Sequence, residues 1–177
     1  MNYISHYLSP LGAITLASDG TSLTGLWFDG QKYFGSTLEA NAEEAELPVF
    51  DTTRRWLDTY FSGVTPDFMP PLNPGGTEFR QQVWKVLLSI PYGTTVTYGD
   101  IAAKIAEEKG EESMSSQAVG GAVGHNTISI IVPCHRVMGA GKSLTGYAGG
   151  VNKKRRLLEL EGIDTSVFKV PVKGTAL

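Results

Sequence analysis

A segment rich in proline and glycine interrupts the sequence and limits which folds the chain can adopt. Residues 63–76 contain four prolines and three glycines. Proline lacks a backbone donor and glycine is costly to order, so neither a long helix nor a central strand is expected to run through this segment. We therefore predict two domains within the 177 residues, at 1–76 and 77–165, followed by a tail at 166–177.

The first part has the pattern of a small antiparallel sheet followed by a helix. Strand-like segments occur at Tyr3–Leu8, Ala13–Ser18 and Leu23–Phe28, and Asp19-Gly20 is a strong turn signal. Asp51 is then placed to cap a helix in which apolar residues recur at helical spacing. These apolar residues are Trp56, Leu57, Tyr60 and Phe61.

The second part has the pattern of several short helices. Thr77 is placed to cap the first of them, and Thr97 with Asp100 has the spacing of a capping box. The next two helices, at about 98–106 and 116–124, are separated by a short polar loop, which is the outline of a helix-turn-helix. A plain helical hairpin packed inside an enzyme fits this pattern equally well.

The second helix of this pair is rich in small residues. Ser115 or Ser116 is placed to cap it. Gly120, Gly121 and Gly124 each lower helix stability by roughly 1 kcal/mol relative to alanine. Close packing against the protein core or against DNA is a natural compensation for this cost.

The only cysteine of the chain is a candidate for chemistry. Cys134 follows a run of β-branched residues at 128–132, which predicts a short buried strand that ends at Pro133. A thiol at this point is either inert filling or a nucleophile on a rigid support. His135 comes next, but adjacent side chains of extended backbone point to opposite faces, so a bridging water or a sharp bend has to connect the two.

A histidine that acts as a base also needs an acid to orient it. The last helix is predicted from about residue 152 to residue 162, and its C-terminus is a poor place for an unpaired carboxylate. Glu161 at that end is the acid that we choose, with Glu159 two residues away as the alternative.

Charge is distributed unevenly between the two parts. Residues 1–76 have a net charge of −6 and residues 77–177 a net charge of +3, so the second part is better suited to bind an anion. Within it, Lys153–Arg156 are predicted either to form a solvated helix face or to contact phosphates.

Composition excludes several classes of protein and site. One cysteine allows neither an internal disulfide nor a cysteine-rich zinc site, and no metal is expected. The start has no pattern of a secretory signal, and no apolar run reaches the length of a membrane span. We therefore expect a cytoplasmic protein that does not contact a membrane.

Several short motifs occur in an order and spacing that resemble one known family. They are Phe79, Val83-Trp84, Pro91-Tyr92-Gly93, Tyr98, Ala118–Ala122, Asn126, Pro133–Val137, Gly146–Gly150, Lys154–Leu158 and Glu161-Gly162. This pattern covers residues 77–163 densely and resembles the O6-alkylguanine-DNA alkyltransferases, or methylated-DNA–protein-cysteine methyltransferases. The first part resembles the family in outline, through Ser9-Pro10-Leu11-Gly12 and the three strands.

The resemblance implies both a fold and an activity. The fold is α/β (α+β): an N-terminal ribonuclease-H-like domain with an antiparallel sheet, and a mostly helical, winged-helix-like C-terminal domain with a helix-turn-helix. The activity is stoichiometric, irreversible transfer of an alkyl group from O6 of guanine, and more weakly from O4 of thymine, in double-stranded DNA. The target nucleotide is flipped out of the duplex. No cofactor and no obligate protein partner are implied, so a monomer is expected.

The resemblance also implies roles for five residues. Cys134 is the acceptor thiolate, His135 deprotonates the thiol through a water, and Glu161 orients His135. Asn126 supports the turn that carries the cysteine loop. Tyr98 protonates N3 of the leaving guanine and crowds the phosphate of the flipped nucleotide.

Two further sets of residues are implied to surround the substrate. The DNA contacts are Tyr98, Gln117, Ala118, Gly120, Gly121 and Arg136. The alkyl pocket is lined by Val137, Leu144, Tyr147, Ala148 and Gly149. Many family members have an arginine at position 117 that fills the hole left by the flipped base. Gln117 can occupy the gap and hydrogen-bond the orphaned cytosine, but it brings no charge.

Two other classes of function use some of the same residues. A DNA-binding module without chemistry, such as a damage sensor or a regulator, needs the helix pair but not the thiol. A thiol hydrolase needs Cys134 and His135 and turns over repeatedly on a small ester or amide. Loss of methyl uptake in Cys134→Ala distinguishes an alkyltransferase from a DNA-binding module without chemistry. Repeated turnover identifies a thiol hydrolase.

Overall fold

The chain forms two compact units in a computed structural model that describes residues 1–170. The first unit contains Met1–Gly75 together with Thr127–Ser129. The second contains Gly76–Asn126 and the described residues from Ile130 onward. The end of the predicted C-terminal tail is outside the described residues.

The described residues of the first unit form a four-stranded sheet in the order β3-β2-β1-β4. β1 (Tyr3–Ser9), β2 (Gly12–Ser18) and β3 (Leu23–Phe28) are antiparallel neighbours, which confirms the predicted sheet. β4 (Glu43–Glu44) pairs with β1 in parallel. Two exposed glutamates have no apolar alternation, so the sequence pattern does not predict this short strand.

One helix of the first unit begins earlier than predicted. α1 (Pro48–Phe61) starts three residues before Asp51, which lies in its first turn, so the predicted N-cap is wrong. Leu47 occupies the cap position without a side-chain hydrogen bond. Proline starts the helix because a residue in the first turn needs no backbone donor. The predicted apolar face is buried at Trp56, Leu57 and Tyr60.

The second unit is mostly helical. Its helices are α2 (Glu78–Leu88), α3 (Tyr98–Lys109), α4 (Ser116–Gly124) and α5 (Val151–Leu160). β5 (Val96–Thr97), just before α3, pairs in parallel with β6 (Val137–Met138). In the part of the chain that the structure describes, no helix is both long enough and apolar enough to cross a membrane.

Side chains cap these helices where the sequence predicts. Thr77 accepts a hydrogen bond from a backbone N–H in the first turn of α2, and Ser115 does the same for α4. Thr97 and Asp100 form a reciprocal capping box at α3. α3 runs three residues beyond the predicted end and stops at Gly110, which has φ 67°.

The predicted strand at residues 128–132 is not formed. Ile128 makes a single bridge to Leu26 within the first unit. The chain then turns through Ile130, which has a left-handed φ of 72°. All five side chains are buried, and a run that is apolar apart from Ser129 does not distinguish a buried strand from a buried turn. Burial was therefore predicted correctly, and the backbone conformation was not.

Candidate active site

Cys134 begins a one-turn helix, Cys134–Arg136, directly after Pro133. Pro133 has φ −82° and ψ 64°, so the backbone bends at this point. The Nδ2 of Asn126 donates to the carbonyl oxygen of Val132 at 2.8 Å, and the backbone N–H of Cys134 donates to the same oxygen at 2.8 Å. The cysteine is therefore carried on a fixed bend, and it is 6% exposed.

His135 and Glu161 form a fully buried hydrogen bond. The Nε2 of His135 lies 2.6 Å from Oε2 of Glu161, and neither side chain has exposed surface. An ionised carboxylate only accepts hydrogen bonds, so Nε2 carries the proton of the neutral imidazole. Nδ1 is then the nitrogen that is able to take a further proton.

The carboxylate of Glu161 accepts hydrogen bonds from three groups. Its Oε1 accepts from Nε of Arg136 at 2.8 Å and from the backbone N–H of Gly93 at 2.9 Å, in addition to the His135 bond at Oε2. Burial acts to raise the pKa of Glu161, but the hydrogen bonds outweigh it and lower the pKa to about 2. The carboxylate is therefore ionised throughout the physiological range.

Arg136 faces the protein interior, and its predicted contact with DNA stays a prediction. It is 8% exposed, and Nη1 donates to the carbonyl oxygen of Ile90 at 2.8 Å. Its guanidinium also lies 5.7 Å from the ring centroid of Tyr92. The one-turn helix directs this side chain inward, where it supplies the positive charge that balances Glu161.

Burial sets the resting protonation of both reactive side chains. It lowers the pKa of His135 more than the hydrogen bond and charge of Glu161 raise it, so the imidazole is neutral at neutral pH. Burial also raises the pKa of the Cys134 thiol, while a hydrogen bond with Asn126 and the charge of Lys154 act in the opposite direction. The thiol is therefore protonated at rest and needs a base.

Lys154 is a buried cation beside this site. It has no exposed surface, and Nζ donates to the carbonyl oxygens of Val137 at 2.5 Å and Thr145 at 2.6 Å. Burial lowers the pKa of Lys154 to about 8, although the charge of Cys134 raises it in part. Within the basic run, this residue therefore neither lies on a solvated face nor contacts a phosphate.

Tyr98 is the first residue of α3 and lies between α4 and the loop after β6. An ideal Cβ on Gly120 of α4 would be 3.9 Å from its ring, and one on Gly146 would be 3.8 Å from its hydroxyl. Burial raises the pKa of Tyr98, the nearby side chain of Thr145 lowers it, and the charge of a Cys134 thiolate raises it. The phenol therefore keeps its proton at neutral pH.

The predicted DNA contacts of α4 lie on one side of the helix. Gln117, Ala118 and Gly121 are exposed and Gly120 is half-buried. The opposite side is buried, at Val119, Ala122 and Val123. α4 therefore presents a face of small, uncharged residues.

The residues predicted to line an alkyl pocket divide into two groups. Val137 and Tyr147 are buried, and Ala148 and Gly149 are half-buried. Leu144 has no exposed surface and packs in an apolar cluster with Met138 and Leu158, so its place in an alkyl pocket stays a prediction. Spacing along a loop does not show which side chains turn toward the core.

Sequence reasoning did not identify Gly93 and Lys154 as parts of this site. Gly93 has φ 77°, and its backbone N–H is a donor to Glu161, so a glycine that ends a Pro-Tyr-Gly turn was the available signal. Lys154 is three residues after Val151 and four before Leu158, which places it on the apolar stripe of α5. A lysine on such a stripe is expected to have buried partners.

Comparison with known proteins identifies both units. The ribonuclease-like domain of 6-O-methylguanine DNA methyltransferase matches residues 2–74, and the DNA binding domain matches residues 78–163. A methylated-DNA–protein-cysteine methyltransferase of Haemophilus influenzae is 43% identical over 162 residues, which cover 91% of this chain and 87% of the relative. The protein of that name from Mycobacterium bovis is 46% identical over 153 residues, which cover 86% and 88%.

Solved structures agree with this match. Mycobacterium tuberculosis OGT in complex with DNA has a TM-score of 0.79 and 42% identity, over 94% of this chain and 95% of that chain. The O6-methylguanine methyltransferase structure from the same organism has a TM-score of 0.77 and 45% identity, over 91% and 93%. The chain belongs to the 6-O-methylguanine DNA methyltransferase family.

Proposed function

We infer that this protein repairs DNA by transferring a methyl or larger alkyl group from O6-alkylguanine, and more weakly from O4-alkylthymine, to Cys134. The transfer is stoichiometric and irreversible because it ends in a stable thioether. The observation that carries this conclusion is the Cys134 thiol on a fixed bend, next to the buried hydrogen bond between His135 and Glu161. Relatives that match most of the chain are named methylated-DNA–protein-cysteine methyltransferases.

The first step is removal of the thiol proton. Nδ1 of His135 takes this proton from Cys134 through a bridging water, while Nε2–H stays hydrogen-bonded to Glu161. Glu161 fixes the tautomer and stabilises the imidazolium that forms. The positive charge of Lys154 favours the thiolate. These interactions offset the desolvation that otherwise keeps the thiol protonated.

The second step is displacement at the alkyl carbon. The Cys134 thiolate attacks along the axis of the C–O6 bond, so a C–S bond forms as the C–O bond breaks and its electron pair moves to guanine. Tyr98 donates its hydroxyl proton to N3 of the leaving guanine and recovers a proton from solvent afterwards. The sulfur ends as a neutral thioether, and the protein is consumed.

DNA is bound through the exposed face of α4, on which Ala118, Gly120 and Gly121 permit close approach of the backbone. Gln117, at the exposed start of the helix, occupies the space that the flipped nucleotide leaves. Its amide hydrogen-bonds the orphaned cytosine.

We also propose the wider setting of this activity. Double-stranded DNA is the partner, no cofactor takes part, and the protein acts as a monomer. Residues 1–76 and 77–165 act as domains, with a tail from residue 166. The cytoplasm is the proposed compartment, because a free acceptor thiol needs reducing surroundings.

Intact-protein mass spectrometry tests the function. After incubation with duplex DNA that contains O6-methylguanine, we expect one added methyl per molecule, located on Cys134 by peptide mapping. Cys134→Ala takes up no methyl and still binds the DNA. Absence of uptake by the wild type contradicts an alkyltransferase, and repeated turnover on small esters or amides supports a thiol hydrolase.

A further inference from the structure

The loop after β6 brings a buried threonine hydroxyl close to Tyr98. Oγ1 of Thr145 has less than 1 Å² of exposed surface and makes no hydrogen bond of good geometry with any described residue. A buried hydroxyl without a partner is costly. A partner that forms during the reaction would offset that cost.

The position of Thr145 is fixed from several sides. Its carbonyl oxygen accepts from Nζ of Lys154 at 2.6 Å, and its backbone N–H donates to the carbonyl oxygen of Ser143 at 2.9 Å. An ideal Cβ on Gly139 would lie 2.9 Å from both Oγ1 and Cγ2 of Thr145, so the side chain packs directly on that glycine. The hydroxyl therefore has little freedom to turn away from the site.

The hydroxyl of Tyr98 lies on the same part of the loop. It is 3.8 Å from an ideal Cβ position on Gly146, the residue after Thr145. The two hydroxyls are close enough that the Thr145 side chain counteracts the rise in the pKa of Tyr98 that burial causes. The Thr145 hydroxyl nevertheless makes no hydrogen bond of good geometry with the hydroxyl of Tyr98.

We propose that Thr145 is a positioning residue for Tyr98, and that its hydroxyl donates a hydrogen bond to the phenolic oxygen during alkyl transfer. This proposal rests on the proposed function. As the C–O6 bond breaks, its electron pair moves to guanine, N3 takes the proton of Tyr98, and negative charge arrives on the phenolic oxygen. Thr145 keeps its own proton and stabilises that charge until solvent reprotonates Tyr98.

A neutral donor suits this position because the charge develops only in the transition state. Hydrogen bonds to ionised acceptors are roughly twice as strong as neutral ones. A donor that is already in place acts most strongly where water is excluded. The bond therefore lowers the barrier to transfer more than it strengthens binding of the damaged DNA.

Single-turnover methyl transfer at saturating DNA tests this role. Thr145→Val keeps the shape and removes the hydroxyl, and we expect its transfer rate to fall about tenfold while its Kd for the damaged duplex is unchanged. Thr145→Ser keeps the hydroxyl and should transfer within about twofold of wild type. In a Tyr98→Phe background, Thr145→Val should have no further effect, because the oxygen that it stabilises is gone.

Two outcomes overturn the proposal. A normal transfer rate in Thr145→Val shows that the hydroxyl does not act in the step. If Thr145→Val lowers the transfer rate equally in the wild-type and Tyr98→Phe backgrounds, Thr145 acts only through the shape of the site. Failure of the wild type to take up methyl is a separate result, which contradicts the proposed function itself. Thermal unfolding of each variant confirms that rates are compared between folded proteins.

Discussion

Glu161 orients His135 and neutralises Arg136, so its substitution should affect both rate and stability. Glu161→Gln keeps the shape but removes the charge that stabilises the imidazolium, and it leaves the guanidinium without its carboxylate. We expect slower methyl transfer, unchanged DNA binding, and a loss of about 3–5 kcal/mol in the free energy of unfolding. Single-turnover kinetics, DNA titration and urea unfolding measure the three effects.

Glu159→Gln is the matched control. Glu159 lies two residues earlier on α5, is exposed, and accepts a hydrogen bond from Thr165. The same substitution there should leave transfer unchanged. Equal transfer rates in Glu161→Gln and the wild type across pH would show that the relay is assigned wrongly.

Lys154 stabilises the loop and the thiolate together. Lys154→Met removes the donor to the carbonyl oxygens of Val137 and Thr145, and we expect a loss of about 1–3 kcal/mol in the free energy of unfolding. It also removes a charge that lowers the pKa of Cys134, so alkylation of the thiol by iodoacetamide should require higher pH. Lys153→Met is the control. Identical pH profiles in the two variants would contradict the role of the buried ammonium.

Sequence pattern and resemblance together selected His135 and Glu161, which meet at the site, but not Gly93 and Lys154. Glu161 was chosen over Glu159 because of its place at a helix end, and the structure brings it to His135. The burial of Arg136 and Leu144 was not predicted, because a motif records neighbours along the chain, whereas burial depends on contacts between distant segments. Direction of a side chain in irregular backbone is decided by those contacts.

At the scale of elements, the glycines of α4 are not required by packing within the protein. An ideal Cβ on Gly121 meets nothing within 4 Å, and the position is exposed. Gly121→Ala should therefore raise the free energy of unfolding by about 1 kcal/mol. It should also weaken DNA binding severalfold, because the added methyl separates the helix from the groove. Tighter binding in this variant would contradict contact through this face.

α4 also lacks any charged side chain, which limits its electrostatic attraction to DNA. Gln117→Arg should tighten binding to a duplex with a flipped base and make the slope of log K against log salt steeper by about 0.9. Gln81→Arg adds the same charge at an exposed position of α2 and serves as the control. An equal change in slope for both variants would place residue 117 outside the DNA interface.

Elements whose boundaries depend on local chemistry could be predicted from the sequence. The caps at Thr77, Thr97 and Ser115 each need only a side-chain oxygen three residues before a free backbone N–H. The turn at Ile130 and the start of α1 at Pro48 could not be predicted in the same way. The turn at Ile130 depends on the bridge between Ile128 and the distant strand β3. α1 begins with a proline because the first turn of a helix needs no backbone donor.

At the scale of the whole molecule, each compact unit contains a carboxylate with a strongly lowered pKa. Backbone and side-chain hydrogen bonds, first that of Ser22, lower the pKa of Asp19 in the first unit from 3.8 to about 2. Glu161 in the second unit is lowered from 4.5 to about 2. A lowered pKa in the folded state means that the unfolded chain binds protons more readily, so stability falls as pH falls.

Acid should therefore destabilise the two units through different residues. The contribution of Glu161 is complete above about pH 4.5 and is lost as pH falls toward 2. Burial lowers the pKa of His135, so its contribution to stability is lost in the same direction, as pH falls below 6.5.

We expect Glu161→Gln to reduce the pH dependence of the free energy of unfolding measured at amides of the second unit. Asp19→Asn should reduce it at amides of the first unit. Urea titration followed residue by residue by NMR at about pH 3, 5 and 7 measures this. An equal reduction in both units by either variant would show that they unfold as one.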